Sequence, residues 1–312
     1  MPKTLFAMAF AIATLITACS GVPGPTPVPT SPPTPTGAPT PTPAPTPTPS
    51  PTFGPNDIEH PTGSTDIVLR LEQGGGFVPI NFFVTQAPAF TLYGDGTVIF
   101  KQLDTRMSNP IGGQAELPWL VGHLDESQIQ VLLQFALSTG RLANAKATYD
   151  NNTCADCGST IFTLNAAGLS KTVNVYALME VTDPTQPDAG DRAGFSQLAA
   201  VLNNIQAQPG IDLGDLAPYD AALYKVVLLD GFGQPPVQAL DWPWDDLTPA
   251  DWPKVEEPGN RLKMLDPEHV AKLLAVPNGG HIGVWVKEPD GTVVQFGVRP
   301  LLPDEIAAFN AG

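Results

Sequence analysis

From residue 66 onward, apolar and polar positions alternate in short runs, and this period predicts strands more often than helices. Asp66-Ile67-Val68-Leu69-Arg70-Leu71 reads as a strand closed by a glycine break, Gly74-Gly75-Gly76. Phe90-Thr91-Leu92-Tyr93 and Val98-Ile99-Phe100 flank Gly94-Asp95-Gly96, residues that tolerate positive φ, and so predict a hairpin. The same reasoning joins Ile161–Leu164 to Val173–Tyr176 across Asn165-Ala166-Ala167-Gly168, and Val284-Trp285-Val286 to Val293–Phe296 across Asp290-Gly291. Val226–Leu229 opens a fourth candidate hairpin. Their second faces are modestly polar, which fits antiparallel sheet with one face covered.

Fewer stretches carry the helical period. Asp125 with Gln128 three residues on has the form of a capping box. Ile129, Leu132, Leu133, Ala136 and Leu137 follow on one face, and Gly140 marks the end. Asp266 with Pro267 opens a second helix, whose apolar stripe is Val270, Leu273 and Leu274 and whose stop is Pro277. A third is expected over Ala193–Ile205, through Phe195, Leu198, Leu202 and Ile205. Leu124-Asp125, Ile129 and Leu132-Leu133 match Leu265-Asp266, Val270 and Leu273-Leu274 at one constant offset. The expectation is an α+β fold: antiparallel β-hairpins with two or three packed helices, arranged as a candidate degenerate tandem duplication. The globular domain spans 56–312, with candidate halves 56–210 and 211–312.

The first 55 residues follow neither period. Lys3 precedes an uncharged apolar stretch, Leu5–Ala18, shorter than the roughly 20 residues a membrane span needs. A basic start, a short apolar region and small residues before a cut site read as a secretory signal, residues 1–18. Leu15-Ile16-Thr17-Ala18-Cys19 closes it and resembles the lipobox of bacterial lipoproteins. That resemblance implies cleavage before Cys19, a diacylglyceryl group on its sulfur and acylation of the new amine with fatty chains such as palmitate. It implies a lipid-anchored protein on the extracytoplasmic face of the cell membrane. Residues 20–55 are a Pro/Thr tract without a charged residue. It has too little apolar surface to offset ordering, and proline favours the extended polyproline form, so 19–55 reads as a disordered stalk. Fully extended it would reach on the order of 100 Å.

Charge and cysteines narrow the function classes. The net charge is −16, and losing Lys3 with the signal makes it −17. Nucleic acid is a poor partner for such a surface. Beyond Cys19 the cysteines are Cys154 and Cys157, as Cys-Ala-Asp-Cys. Outside the cytoplasm the default for this pair is a disulfide. Redox thiols and a metal site stay open as alternatives. Thioredoxin-like chemistry needs a strand-to-helix junction, whereas Ser159–Leu164 reads as a strand. No second CxxC and no paired histidines offer a zinc set.

The nucleophile elbow, the P-loop and the HExxH signature are absent from the sequence, no catalytic residue is assigned, and no cofactor or metal is expected. Asp183, Asp188 and Asp191 lie on a loop without calcium-loop spacing, and Asp188 or Asp191 suits a helix cap. The most unusual segment is Asp241–Pro253, which holds three of the five tryptophans. Trp242, Trp244, Asp245, Asp246, Asp251 and Trp252 are candidate ligand-binding residues, since indoles beside carboxylates stack on and hydrogen-bond to sugar rings or cations. The competing reading is a proline-stiffened loop whose tryptophans cover the core edge. Segments Phe90–Gly96 and Val298–Pro303 are similar to segments of uncharacterised secreted bacterial proteins, a resemblance that carries no function. The expected function is a non-catalytic binding domain displayed by a membrane-anchored lipoprotein, with a protein or glycan as partner. The alternatives are cell-envelope carbohydrate binding through the Trp/Asp loop and a thiol-disulfide protein using the CxxC.

Overall fold

The computed structural model describes residues 53–311, apart from 79–82, 84, 103–116, 152, 179–183, 230–238, 254–259 and 276–283. The first 52 residues, with Cys19 and the proline-rich tract, lie outside the described residues.

The body is α+β. Its strands are β1 (Ile67–Gly75), β2 (Phe90–Tyr93), β3 (Thr97–Phe100), β4 (Leu120–His123), β5 (Thr148–Tyr149), β6 (Gly158–Ala166), β7 (Leu169–Tyr176), β8 (Ala217–Pro218), β9 (Tyr224–Leu229), β10 (Leu240–Asp241), β11 (Asn260–Leu265), β12 (Val284–Lys287) and β13 (Val293–Pro300). Helices are α1 (Glu126–Leu137), α2 (Ala189–Asn203), α3 (Pro267–Leu274) and α4 (Pro303–Ala311). The strands form an eight-stranded sheet, β5-β7-β6-β1-β2-β3-β4-β8, and a five-stranded sheet, β10-β12-β13-β9-β11. Pairing is antiparallel except β5 with β7 and β10 with β12. Among the described residues no helix is long and apolar enough to cross a membrane.

The period-2 pattern puts one apolar row across the large sheet. Val173 pairs Phe162, Phe162 pairs Leu71, Leu71 pairs Phe90 and Phe90 pairs Phe100. Helices α1 and α2 cover this face with Ile129, Leu132, Leu133, Phe195 and Leu198 in a single core. Each fully buried leucine or phenylalanine there contributes about 1.5–3 kcal/mol. The opposite face carries Arg70, Thr91, Tyr93 and Ile99, and Tyr93 and Ile99 pack with Trp119 and Leu302 in a smaller cluster. The second core lies in the small sheet, between Val226, Leu228, Phe296 and α3.

Both capped helices form where the sequence places them. Asp125 accepts the Gln128 N–H at 2.9 Å, and Gln128 Oε1 accepts the Asp125 N–H at 3.0 Å. Asp266 caps α3 by accepting from the His269 N–H at 3.0 Å. The hairpins at Asp95-Gly96 and Asp290-Gly291 share one turn chemistry. Asp95 and Asp290 accept from the N–H of Thr97 and Thr292, while Gly96 and Gly291 take φ of 90° and 93°. Ala167 and Gly168 both have positive φ, the form a two-residue hairpin turn needs.

Other expectations change in the folded chain. The glycine break falls at the end of the run: β1 continues through Gly74 and Gly75, which pair with Ser159 and Gly158, and stops there, with Gly75 and Gly76 at φ of 81° and 78°. A side chain at Gly74 would overlap Gln86, so the glycine admits a crossing side chain rather than a turn. Val226–Leu229 pairs antiparallel with two later strands. It is the strand β9, between β11 and β13. The third helix begins at Ala189, four residues before the expected start, and a 3-10 turn, Ile205–Ala207, follows it. Asp188 stands at its N-cap position but bonds Arg192 Nε at 3.0 Å instead of a backbone N–H. Buried Arg192 also reaches the carbonyls of Tyr176 and Asp150, which fixes α2 to the end of β7.

The likeness between the two halves reaches only as far as a strand and a capped helix, β4-α1 and β11-α3. After α1 the hairpin docks through its first strand, β6, on β1; after α3 it docks through its second strand, β13, on β9. Opposite docking gives the two sheets different topologies. The passage between sheets falls between Pro218 and Tyr224, not at residue 210, because β8 still pairs with β4. Both sheets belong to one compact unit, and α4 returns to the large sheet.

Gly194 marks the close approach of α2 to the segment after α1. A Cβ there would sit 2.6 Å from the Thr139 carbonyl oxygen and against the Arg141 side chain. Gly194→Ala is expected to destabilise by about 1–3 kcal/mol through overpacking, although alanine is the better helix former. Chemical denaturation checks this, and an unchanged or raised midpoint would refute the tight contact.

Candidate functional site

Cys154 and Cys157 form a disulfide, with Cα atoms 6.0 Å apart. The chain passes from the bridge directly into β6 at Gly158. The bridge therefore precedes a strand and not the N-terminus of a helix, the feature that low-pKa CxxC pairs depend on. Tyr176 holds the turn from β7: its hydroxyl accepts the Cys157 N–H at 2.9 Å and donates to the Cys154 carbonyl at 3.3 Å. Asp156, in the left-handed region at φ 56°, offers its carbonyl to the Phe77 N–H at 3.1 Å. The bridge therefore fastens one end of the large sheet. A short loop of this kind stabilises by about 2 kcal/mol.

The Trp/Asp segment lies over the small sheet. Trp244 and Trp252 are 3% and 2% exposed, and Trp242 is half-buried. Their rings surround Phe296 at 5.5, 5.1 and 5.8 Å between centroids, respectively. The Trp244 N–H donates to the His269 carbonyl at 3.0 Å and the Trp242 N–H to the Leu247 carbonyl at 2.7 Å. Trp244 and Trp252 are core residues of the small sheet, with no free ring face for a sugar to stack on. They fit the packing alternative. Of the three candidate indoles, Trp242 alone keeps an accessible part.

The carboxylates of the segment do not converge. Asp251 closes its own 3-10 turn, accepting from the Thr248 N–H and hydroxyl at 2.7 and 2.8 Å. Asp245 is exposed. Asp246 reaches across to α3 and meets His269 Nε2 at 2.9 Å. His269 Nδ1 lies 2.9 Å from Asp266, so the ring stands between two carboxylates. Hydrogen bonds to Asp246 and then Asp266 raise the His269 pKa above its ordinary value. The His269 bond likewise holds Asp246 below the usual carboxylate range. Lys272 adds a third tie, donating to the Pro243 carbonyl at 3.0 Å. Sequence reading missed His269, although its place three residues after a capping aspartate was a usable signal.

A second polar cluster joins the two sheets. On β1, Arg70 donates to Thr91 Oγ1 at 3.1 Å and to Asp304 Oδ1 at 2.6 Å. Tyr93 donates to the same oxygen at 2.6 Å. Arg299, at the end of β13, forks onto Glu305 at 2.8 and 2.7 Å, and Glu305 caps α4 by accepting the Leu302 N–H at 2.9 Å. Burial works against the Arg70 charge, but the Asp304 hydrogen bond and charge outweigh it, so its pKa rises. Burial, then the Asp304 bond, push the Tyr93 hydroxyl well up, which keeps it a donor. Half-buried Glu72 is raised and half-buried Lys225 lowered, each chiefly by burial. Arg70, Tyr93 and the two terminal nitrogens of Arg299 all point their donors at α4 or its first turn, while Arg299 Nε is buried without a partner among the described residues, the arrangement of a structural lock on α4. The signal in the sequence was a charged residue, Arg70, inside an otherwise apolar run.

Among the described residues no group of three or more histidine, cysteine, aspartate or glutamate side chains is gathered to hold a metal ion. The fold and its polar clusters define a two-sheet α+β domain with a short disulfide. No known protein family, curated protein or solved structure matches this chain.

Proposed function

We propose that this protein is a bacterial lipoprotein, anchored through acylated Cys19 to the extracytoplasmic face of the cell membrane, that displays a non-catalytic binding domain on a Pro/Thr stalk. The observation that carries the reading is the order Lys3, apolar Leu5–Ala18, Cys19 and then the uncharged proline tract. Two or more acyl chains give a firm hold, since each buried methylene adds about 0.8 kcal/mol. The disulfide at Cys154–Cys157 suits an oxidising compartment. Binding rather than catalysis is favoured because the buried charges are committed to each other, as in Arg70–Asp304, Arg299–Glu305 and Arg261–Glu288. The partner class is a protein or a glycan, and a glycan site on the Trp/Asp loop would rest on Trp242, Asp245 and Asp246.

The test is metabolic labelling with an alkynyl fatty acid in a lipoprotein-processing bacterium, followed by intact mass of the membrane fraction. The expected product begins at Cys19 and carries label, and Cys19→Ser removes both label and membrane retention. A mature chain that keeps residues 1–18, or carries no lipid, overturns the reading.

A further inference from the structure

The Trp/Asp loop is tied to α3 at Pro243 by Lys272 and at Trp244 by the His269 carbonyl, and beyond these its Asp246 end is held through the His269 imidazole. His269 Nε2 faces Asp246 Oδ2 at 2.9 Å, and Nδ1 faces Asp266 at 2.9 Å. Carboxylates accept and do not donate when ionised, so both contacts are hydrogen bonds only if both ring nitrogens carry protons. A neutral imidazole has one proton and must turn a lone pair toward one carboxylate. The two partners differ in how else they are held. Asp266 also accepts the His269 backbone N–H at 3.0 Å as the cap of α3, which keeps it in place whatever the ring does. The Asp246 side chain is 66% exposed and hangs on the loop.

We propose that His269 is a pH-operated latch, closed as the doubly protonated imidazolium and opened at its Asp246 side when one proton is lost. Opening frees the segment around Asp246 and Leu247. Trp244 stays seated, because its ring is buried and its N–H bonds a backbone carbonyl. Trp242 is the reporter, since its N–H bonds the Leu247 carbonyl and its ring is half-buried.

The charged groups around the latch set its window. Asp246 and Asp266 act directly on His269, and Lys272, on the last turn of α3, acts on Asp246. Glu268 adjoins His269 in sequence, Asp251 is held by Thr248, and Lys263 on β11 bonds the Asp251 carbonyl. The His269 pKa is raised in the folded state, so the closed form is fully present below the ordinary histidine value of about 6.5 and is lost as pH rises through the folded pKa. The Asp246 and Asp266 pKa values are lowered, so at the acid end the contact is lost as pH falls through their folded values. The device responds to the medium bathing the domain and does not depend on the anchor.

The experiment is an NMR pH titration of the full chain, following the His269 ring and the indole N–H signals, in wild type, Asp246→Asn and His269→Gln. Circular dichroism at acid pH confirms that each variant is folded. In wild type, His269 is expected to titrate above the ordinary histidine range, and the Trp242 signal to move with the same midpoint while Trp244 stays still. Asp246→Asn should return the His269 midpoint toward the ordinary value and abolish the Trp242 transition. A His269 midpoint unmoved by Asp246→Asn, or a Trp242 signal indifferent to pH, overturns the latch. If His269→Gln does not fold, the Asp246→Asn comparison decides alone.

Discussion

Asp304→Ala is expected to cost about 3–5 kcal/mol of stability, the range for removing one partner of a buried ion pair. Its carboxylate accepts from Arg70 and from Tyr93 on a single oxygen, and both donors are buried, Arg70 at 8% and Tyr93 at 0% exposed. Tyr93 and most of the Arg70 side chain stay covered once the carboxylate is gone. The guanidinium keeps Thr91 as a partner, but its charge is left uncompensated. The damage extends beyond the pair, because Asp304 opens α4, and α4 is what ties the end of the small sheet to the far face of the large one. Urea unfolding followed by circular dichroism measures it. Combining Asp304→Leu with Arg70→Met and Tyr93→Phe should recover most of the loss, since replacing a whole buried polar group by apolar residues of similar volume is often neutral. A single variant that loses less than about 1 kcal/mol would place this cluster with ordinary surface pairs.

Phe296→Ala is expected to cost about 3–5 kcal/mol, the usual range for deleting a buried aromatic ring. Phe296 is 0% exposed and has Trp242, Trp244 and Trp252 around it, so truncation leaves a cavity under the whole Trp/Asp segment. Tryptophan emission should shift to the red, because three of the chain's five indoles line that cavity. Core packing makes stability and emission fall together. A platform of indoles open to ligand would leave stability nearly intact, and a loss below about 1 kcal/mol would restore that reading against the burial described here.

The contrast between Asp266 and Asp246 shows where sequence reading holds and where it stops. Asp266 is legible because a cap bonds a backbone N–H three residues away, a distance fixed by helix geometry alone. Asp246 is not legible, since its partner His269 lies 23 positions on and meets it only through the fold. Asp188 shows a local signal overruled: it has the residue type and place of a cap, but buried Arg192 takes its carboxylate. The glycine run ends the strand as expected at Gly75 and Gly76, but Gly74 has a second reason that the sequence does not show. Glycines after a strand usually mark a turn, yet Gly74 is where Gln86 crosses β1.

Taken alone, the sequence determined the short-range elements: the α+β composition, the capped starts of α1 and α3, the Asp-Gly turns and the apolar rows of the hairpins. Each depends on contacts within a few residues, where covalent geometry leaves few choices. Tertiary structure alone decided the strand order, the opposite docking of the two late hairpins, the burial of Trp244 and Trp252, and the meeting of Arg70 with Asp304 across 234 positions. Those outcomes depend on which surfaces exclude water together, and an indole or an arginine can be written identically whether another element covers it or not.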